Sequence, residues 1–113
     1  MEARAIARFI RLSPFKTRQV ADLVRGKDIK EAKGILRYVN KRSAPVIDKL
    51  LQSAVANAEH NFDMDTEELY IAEIRIDEGP TMKRMRPRAY GRADVKLRRT
   101  SHITIVLKER EVK

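Results

Sequence analysis

The side chains best suited to chemistry are the lysines and arginines concentrated between Gly79 and Ser101. This stretch has eight basic residues and one acidic residue, Asp94, so its net charge is +7, against +9 for the whole chain. Basic side chains neutralise phosphates and release counterions. Arginine also grips a phosphate with two hydrogen bonds or stacks on an exposed base. The pattern therefore indicates binding of a nucleic acid through Lys83, Arg84, Arg86, Arg88, Arg92, Lys96, Arg98 and Arg99.

Strand patterns flank this basic stretch on both sides, at Leu69–Asp77 and His102–Leu107. We predict one long β-hairpin over residues 79–101 that leaves the domain and turns near residues 89–92, with arms of roughly 30 Å. An isolated ribbon is marginal in water, and one so charged repels itself, so a large anionic partner is expected. The alternative is a disordered basic loop that orders on RNA. Tyr90, near the turn, is either a base-stacking residue or an ordinary surface tyrosine.

A second basic cluster surrounds the first predicted helix. The free amides at Ser13–Phe15, together with the nearby lysine, are typical of an anion site. Two further basic residues, just before the central helix, extend the cluster. The candidate binding residues in this part of the chain are Arg11, Lys16, Arg18, Arg25, Lys27, Lys41 and Arg42.

The charge is segregated along the chain. Residues 1–27 have a net charge of +5 and residues 28–78 a net charge of −4, whereas the basic stretch carries +7. Such segregation favours a directed binding surface over a general contribution to solubility.

Hydrophobic periodicity predicts a strand followed by three helices. The strand spans Ala3–Arg11, with Ala3, Ala5, Ala7 and Phe9 on one face. The first helix begins at Ser13, a potential side-chain cap, and runs to about Arg25 with Val20, Leu23 and Val24 inward. Asp28 and Glu31 resemble a capping box for the second helix. The third begins near Ser43, and its apolar residues follow helical spacing: Ile47, Leu50, Leu51, Ala54, Val55 and Ala58.

The remaining segments complete an α+β fold. Asn61–Glu68 is predicted to be a polar loop, and Lys108–Lys113 a frayed tail. In the strand between them, Tyr70, Ala72, Ile74 and Ile76 are predicted to share one face. The chain is thus expected to form a single domain over residues 1–113. Three helices pack on a small, mostly antiparallel three-stranded sheet formed from residues 1–78 and 102–113, and a long basic β-hairpin over residues 79–101 protrudes from it.

Other classes of function receive little support. There is no cysteine, and the start of the chain is unlike a secretory signal. The longest uncharged run, Leu50–Ala58, is too short to span a bilayer. His60 is expected to be exposed and His102 to be structural, and the acidic loop around Asp63 lacks calcium-loop spacing. We predict no catalytic site, metal, cofactor, membrane partner or small-molecule substrate, and a basic ribbon that binds DNA is the leading alternative.

Several motifs follow one another in order along nearly the whole chain, without a large gap. They are Arg11–Pro14 with Lys16 and Arg18, Leu23–Lys27, Ser53–Ala58, Asp77–Pro80, Pro87–Ala89, Gly91–Ala93 and Arg99–Thr104. Together these motifs resemble the bacterial form of the large-subunit ribosomal protein twenty-two family. Two positions depart from the family pattern: Phe15 stands where a basic residue is common, and Tyr90 lies at a variable tip position.

This resemblance implies a cytoplasmic, non-catalytic constituent of the large ribosomal subunit. Its expected partners are large-subunit ribosomal RNA, neighbouring ribosomal proteins and the nascent peptide. The family's globular domain sits near the exit of the peptide tunnel and binds early in assembly, and its hairpin runs inward through the RNA. By position, the residues implied to line the tunnel at the tip are Arg88, Ala89, Tyr90, Gly91 and Arg92.

Overall fold

The computed structural model describes residues 2–80, 82–87 and 93–110. Their helices and strands confirm the predicted α+β class, with three helices, a three-stranded antiparallel sheet and a separate two-stranded ribbon. A one-turn 3₁₀ helix at Thr66–Glu68 precedes the second strand. The elements are β1 (Glu2–Ile10), α1 (Pro14–Val24), α2 (Ile29–Tyr38), α3 (Ser43–Phe62), β2 (Leu69–Glu78), β3 (Met82–Pro87), β4 (Ala93–Arg98) and β5 (Ser101–Glu109).

The last strand of the chain lies at the centre of the sheet, whose order is β1-β5-β2. Ile103, Ile105 and Leu107 on β5 are fully buried and belong to the hydrophobic core. Thr104 and Val106, the residues between them, are also nearly inaccessible. A strand covered on both faces has an almost continuous run of apolar residues. This run explains why the sequence predicted the strand so clearly.

The central helix α3 packs on β1 and β5, while α1 packs on β2. Ile47, Leu51 and Ala54 of α3 are completely buried. Facing them on β1 are small residues, Ala3 and Ala5, that are also buried. Small side chains on the strand let the helix approach closely, so the core is built between α3 and the sheet.

Leu23, predicted to face inward, and Phe9, predicted to share a face with Ala3 and Ala5, are both exposed. Leu23 is 48% exposed, so the inward face of α1 is formed without it, by Pro14, Thr17, Val20, Ala21 and Val24. Phe9 is 63% exposed and has a left-handed backbone with a φ of 57°. The pairing with β5 shifts register between Ala7 and Ile10. A bulge therefore ends the alternation of β1 and turns Phe9 out of the core.

The predicted face of β2 was wrong, because this strand contains a second bulge. The pairing with β5 shifts register between Ile71 and Glu73. As a result Leu69 and Ile71 are buried together with Ile74 and Ile76. Tyr70 and Ala72, predicted to share a face with Ile74 and Ile76, are only partly buried. One extra residue reverses the alternation upstream of it.

Neither predicted side-chain cap forms. Ser13 makes no capping hydrogen bond with its side chain, although its carbonyl accepts the Thr17 amide at 3.0 Å and the Thr17 hydroxyl at 2.8 Å. Asp28 does not cap α2 either, because its carboxylate accepts a hydrogen bond from Arg110 Nε at 2.6 Å. The first two helices begin at the predicted places without the predicted caps.

Parts of the predicted polar loop and frayed tail are ordered. Helix α3 continues through Phe62 and ends at Asp63, whose φ is 53°. Met64, next in the chain, is 5% exposed and closes the end of the core. Strand β5 runs to Glu109, and the Arg110 guanidinium lies 4.6 Å from the centre of the Tyr70 ring. Residues 111–113 of the predicted tail lie outside the described residues.

The ribbon forms a sheet of its own. Strands β3 and β4 pair in register from Met82↔Arg98 to Pro87↔Ala93. The radius of gyration is 17.4 Å, whereas a compact domain of this length has about 13 Å. The difference fits a globular part with a protruding hairpin. The predicted turn near residues 89–92 lies outside the described residues.

Close hydrogen bonds fix the point at which the chain leaves the globular part for the ribbon. The Gly79 amide donates to the Thr100 carbonyl at 2.9 Å, and the Thr100 hydroxyl donates to the Pro80 carbonyl at 2.7 Å. The Ser101 hydroxyl donates to the Leu12 carbonyl at 2.7 Å. The two ends of the ribbon are thereby tied to each other and to the loop that precedes α1. We call Gly79, Pro80, Thr100 and Ser101 the ribbon base.

His102 supports the ribbon base from the side, as expected for a structural residue. Its Nδ1 accepts the Phe9 amide at 3.1 Å, and the two rings pack edge to face with centroids 4.9 Å apart. The same imidazole lies beneath Gly79, where a Cβ would approach its ring atoms to 3.3 Å. Phe9, which lies at the bulge, therefore packs against His102, and His102 in turn packs against Gly79.

Substituting Gly79 tests how tightly this base is packed. A Cβ at this position would overlap the Thr100 hydroxyl, so we expect Gly79→Ala to lower the free energy of unfolding by about 1–3 kcal/mol. The matched control is Gly34→Ala in α2, where a Cβ meets no atom within 4 Å. That change should stabilise the protein by roughly 0.5–1 kcal/mol, because alanine favours a helix interior. Urea denaturation measures both, and equal midpoints for the two variants would show that the ribbon base is loose.

Candidate nucleic-acid interface

Four of the predicted binding residues meet in one cleft. Arg11 follows β1, Lys16 lies in the first turn of α1, and Lys41 with Arg42 precedes α3. Together with Leu12, Ser13, Thr17, Asn40 and Ser43 they line an open cleft of about 340 Å³. The fold thus joins two basic segments that are about 25 residues apart in the sequence. No carboxylate lines this cleft.

Two helices begin at the cleft. Ser13 precedes α1 and Ser43 is the first residue of α3, and both residues line it. The first amides of a helix lack internal partners, and the helix dipole is positive at this end. Lys16 stands within the first turn of α1, as predicted for an anion site. Two helix starts and four basic side chains create a positive potential suited to a phosphate.

Arg18 and Arg25 donate hydrogen bonds to the backbone of this fold. Arg18 donates from Nε and Nη2 to the Ile76 carbonyl at 3.2 and 2.9 Å. Arg25 donates from Nη2 to the Ile74 carbonyl at 2.8 Å. Both acceptors lie on β2, an edge strand of the sheet. The two guanidinium groups therefore donate hydrogen bonds to carbonyls that would otherwise lie unpaired at the open edge of the sheet.

The loop after α1 closes the next part of the same edge. The Gly26 amide donates to the Ile71 carbonyl at 2.9 Å, and the Ile71 amide donates to the Lys27 carbonyl at 3.0 Å. Gly26 has a φ of 80°, which glycine adopts without strain and which lets the chain turn here. Lys27 itself remains exposed. Arg18, Arg25 and Lys27 thus lie along the β2 edge, and the structure does not bring them into the cleft.

Two basic residues absent from the sequence-based prediction line a neighbouring cleft. Lys33 and Arg37 of α2, with Lys41, border an open volume of about 430 Å³. Their spacing of four residues on the polar side of an amphipathic helix was a usable signal. The acidic balance of residues 28–78 concealed it, because a net charge averages over side chains that face different directions.

The ribbon carries most of the remaining predicted residues. Lys83, Arg84 and Arg86 belong to β3, while Lys96 and Arg98 belong to β4. Arg99 follows β4 and is exposed. The predicted tip residues, Arg88, Ala89, Tyr90, Gly91 and Arg92, lie outside the described residues.

The described residues offer little for other kinds of site. They include no group of three or more His, Asp or Glu side chains that could hold a metal ion. His60 is exposed near the end of α3, as expected. Within the same ranges, none of the helices combines the length and apolar character needed to cross a membrane.

Residues 5–108 match the family model of ribosomal protein L22p/L17e. The chain belongs to this family. It is 75% identical to the large ribosomal subunit protein uL22 of Syntrophomonas wolfei, over the full length of both chains. It is 59% identical to the uL22 protein of Carboxydothermus hydrogenoformans, with 98% of each chain covered. The uL22 protein of Macrococcus caseolyticus is 58% identical over all of this chain and 91% of the relative.

Family membership confirms the resemblance drawn from the ordered motifs. A family of ribosomal proteins is structural, so the chain is not an enzyme, as expected from the sequence. The basic surfaces described above are therefore not parts of a catalytic site.

Two arginine variants separate the structural and binding roles within the basic cluster. We expect Arg18→Ala to lower the free energy of unfolding by about 1–2 kcal/mol, because the Ile76 carbonyl loses a charged donor. Arg11→Ala should change it by less than about 0.5 kcal/mol, since Arg11 is exposed and lines the cleft. Thermal denaturation measures the difference. Equal loss of stability in both variants would contradict the assignment of Arg18 to the sheet edge.

Proposed function

We propose that the protein is a structural constituent of the large ribosomal subunit in the cytoplasm and that it binds ribosomal RNA. The observation that carries this proposal is a basic two-stranded ribbon, paired only with itself among the described strands, on a chain of this ribosomal family. The relatives named above are all large-subunit proteins. Ribosomal RNA and neighbouring ribosomal proteins are the partners that this proposal assigns to the chain.

Electrostatics supports RNA as the partner of the ribbon. The stretch from Gly79 to Ser101 carries a net charge of +7, and like charges held on neighbouring strands repel each other. Two paired strands have no hydrophobic core that could offset this repulsion. A surrounding polyanion removes the repulsion and adds the entropy of counterion release. We therefore propose that the ribbon is inserted among RNA phosphates.

The cleft between the starts of α1 and α3 provides a second contact. Arg11, Lys16, Lys41 and Arg42 come from two separate segments of the chain and surround an open volume with no carboxylate in its lining. A phosphate placed there would meet four cations at the positive ends of two helix dipoles. We propose that this cleft anchors the globular part of the protein to the RNA and that the ribbon reaches a different part of it.

The far end of the ribbon is the proposed contact with the nascent peptide. Pro87 and Ala93 form the last pair of the described ribbon, so residues 88–92 connect the strands at the end farthest from the ribbon base. By the family resemblance, these residues line the peptide exit tunnel. Tyr90 would then present an aromatic ring, flanked by Arg88 and Arg92, to the tunnel or to an RNA base.

Shortening the ribbon tests its role in RNA binding. Replacing residues 83–97 with an Asn-Gly turn preserves the Met82↔Arg98 pair. Because the ribbon forms a sheet of its own, separate from the three-stranded sheet of the globular part, we expect the thermal unfolding midpoint to stay within a few degrees of the original. Affinity for large-subunit ribosomal RNA should fall. The slope of log affinity against log salt concentration should decrease by about one for each phosphate that the shortened protein no longer neutralises.

A variant with a similar loss of charge provides the control. Lys30→Glu with Lys49→Glu lowers the net charge by four without touching the ribbon, and we expect it to retain most of the RNA affinity. Unfolding of the shortened protein would show that the ribbon is part of the core. Stronger binding of the intact protein to duplex DNA than to ribosomal RNA would favour the alternative of a DNA-binding ribbon.

A further inference from the structure

We infer that the globular part holds one continuous segment of RNA backbone along a groove that extends from Arg11 to Lys33. The inference rests on the proposed function and makes it more specific, because it assigns a second phosphate contact to Lys33 and Arg37. The groove consists of the cleft at the helix starts and the neighbouring cleft beside α2. The ligand it fits is a strand with at least two successive phosphates.

The two clefts adjoin each other, because they share lining residues. Asn40 and Lys41 border both. These two residues belong to the short connection between α2 and α3. A ligand lying across Lys41 would enter both volumes, of about 340 and 430 Å³.

The cations of the groove have no ion-pair partners within the described part of the chain. The ion pairs found there involve other basic residues. One carboxylate, Asp48, lines the groove, and its Oδ2 accepts a hydrogen bond from Gln52 Nε2 at 3.3 Å. Un-neutralised cations facing one open volume favour a polyanion. The six basic residues that line the groove are Arg11, Lys16, Lys33, Arg37, Lys41 and Arg42.

Ser43 adds a polar contact inside the groove. It is 4% exposed and lines the first cleft. No hydrogen bond of its hydroxyl is found among the described residues. In the same part of the chain, every side-chain oxygen that is sealed from solvent has a hydrogen-bond partner. Its oxygen therefore keeps some contact with solvent at the start of α3, where the hydroxyl can donate to a phosphate oxygen.

A third cleft shows that this arrangement is not a general property of the surface. It lies between α2, α3 and the 3₁₀ turn, and it is lined by four carboxylates and two lysines. Lys33 borders this cleft as well as the groove, so it marks the boundary between a positive and a negative surface. The positive groove thus has a defined end, and we place the end of the RNA segment at Lys33.

A purely structural explanation for Arg37 makes a different prediction. Arg37 lies in the last turn of α2, where a positive charge stabilises the helix through its dipole. If that were its entire role, its removal would lower stability and leave the RNA affinity unchanged. The two explanations are therefore separable by measuring both quantities on the same variant.

The experiment uses the full chain and an in vitro transcript of large-subunit ribosomal RNA. The groove variant is the double substitution Lys33→Ala with Arg37→Ala. Its control is the double substitution Lys30→Ala with Lys49→Ala, which removes the same charge outside the groove. We expect the groove variant to bind at least about tenfold more weakly than the control at moderate salt, with a salt slope lower by about one for the phosphate contact that it loses. Affinity equal to that of the control would overturn the inference, whether or not the unfolding midpoint falls.

Footprinting on the RNA backbone tests the continuity of the groove. Nucleotides that lose protection in the Lys33 and Arg37 variant should adjoin, on the same strand, those that lose it in an Arg11→Ala and Lys16→Ala variant. Two distant sets would refute a single groove while leaving RNA binding intact. Failure of the unaltered protein to bind the transcript would instead refute the proposed function, and with it this inference.

Discussion

Repulsion among like charges in a ribbon without a core is the constraint on which the rest of the structure depends. The stretch from Gly79 to Ser101 carries +7 over 23 residues, so its charges oppose the pairing of two strands that are only marginally stable by themselves. The globular part supplies a fixed base for it. Gly79 and Thr100 join the two strands by a short backbone hydrogen bond, and Ser101 ties them to the loop before α1. The direction of the ribbon is therefore set by hydrogen bonds within the globular part.

Basic residues serve two purposes in this fold, and composition alone does not distinguish them. Arg18 and Arg25 lie in the same cluster as Arg11 and Lys16, yet their guanidinium groups bind carbonyls of β2. An exposed edge strand invites pairing with another chain. Closing that edge with arginines leaves the surface positive, so the protein protects its sheet without losing its attraction for a polyanion.

Most of the architecture follows from the sequence, whereas its irregularities do not. The three helices, the strands and the separate ribbon are predictable from hydrophobic period and charge. Phe9, Tyr70 and Ala72 were misplaced because each β-bulge reverses an alternation, and a bulge leaves no reliable signal in one sequence. Asp28 was assigned to a cap because its partner, Arg110, is 82 residues away. Lys33 and Arg37 were missed because the acidic residues around them face another cleft.

Hydrogen exchange of the ribbon amides tests most directly whether a polyanion stabilises the ribbon. Exchange would be followed for β3 and β4, with the amides of Ile103 and Ile105 as internal references, in the free protein and bound to ribosomal RNA. We expect the ribbon amides to exchange at least about a hundredfold more slowly in the complex, while the reference amides of the core change little. Equal protection of the ribbon in both states would show that it is stable without RNA, contrary to the central claim.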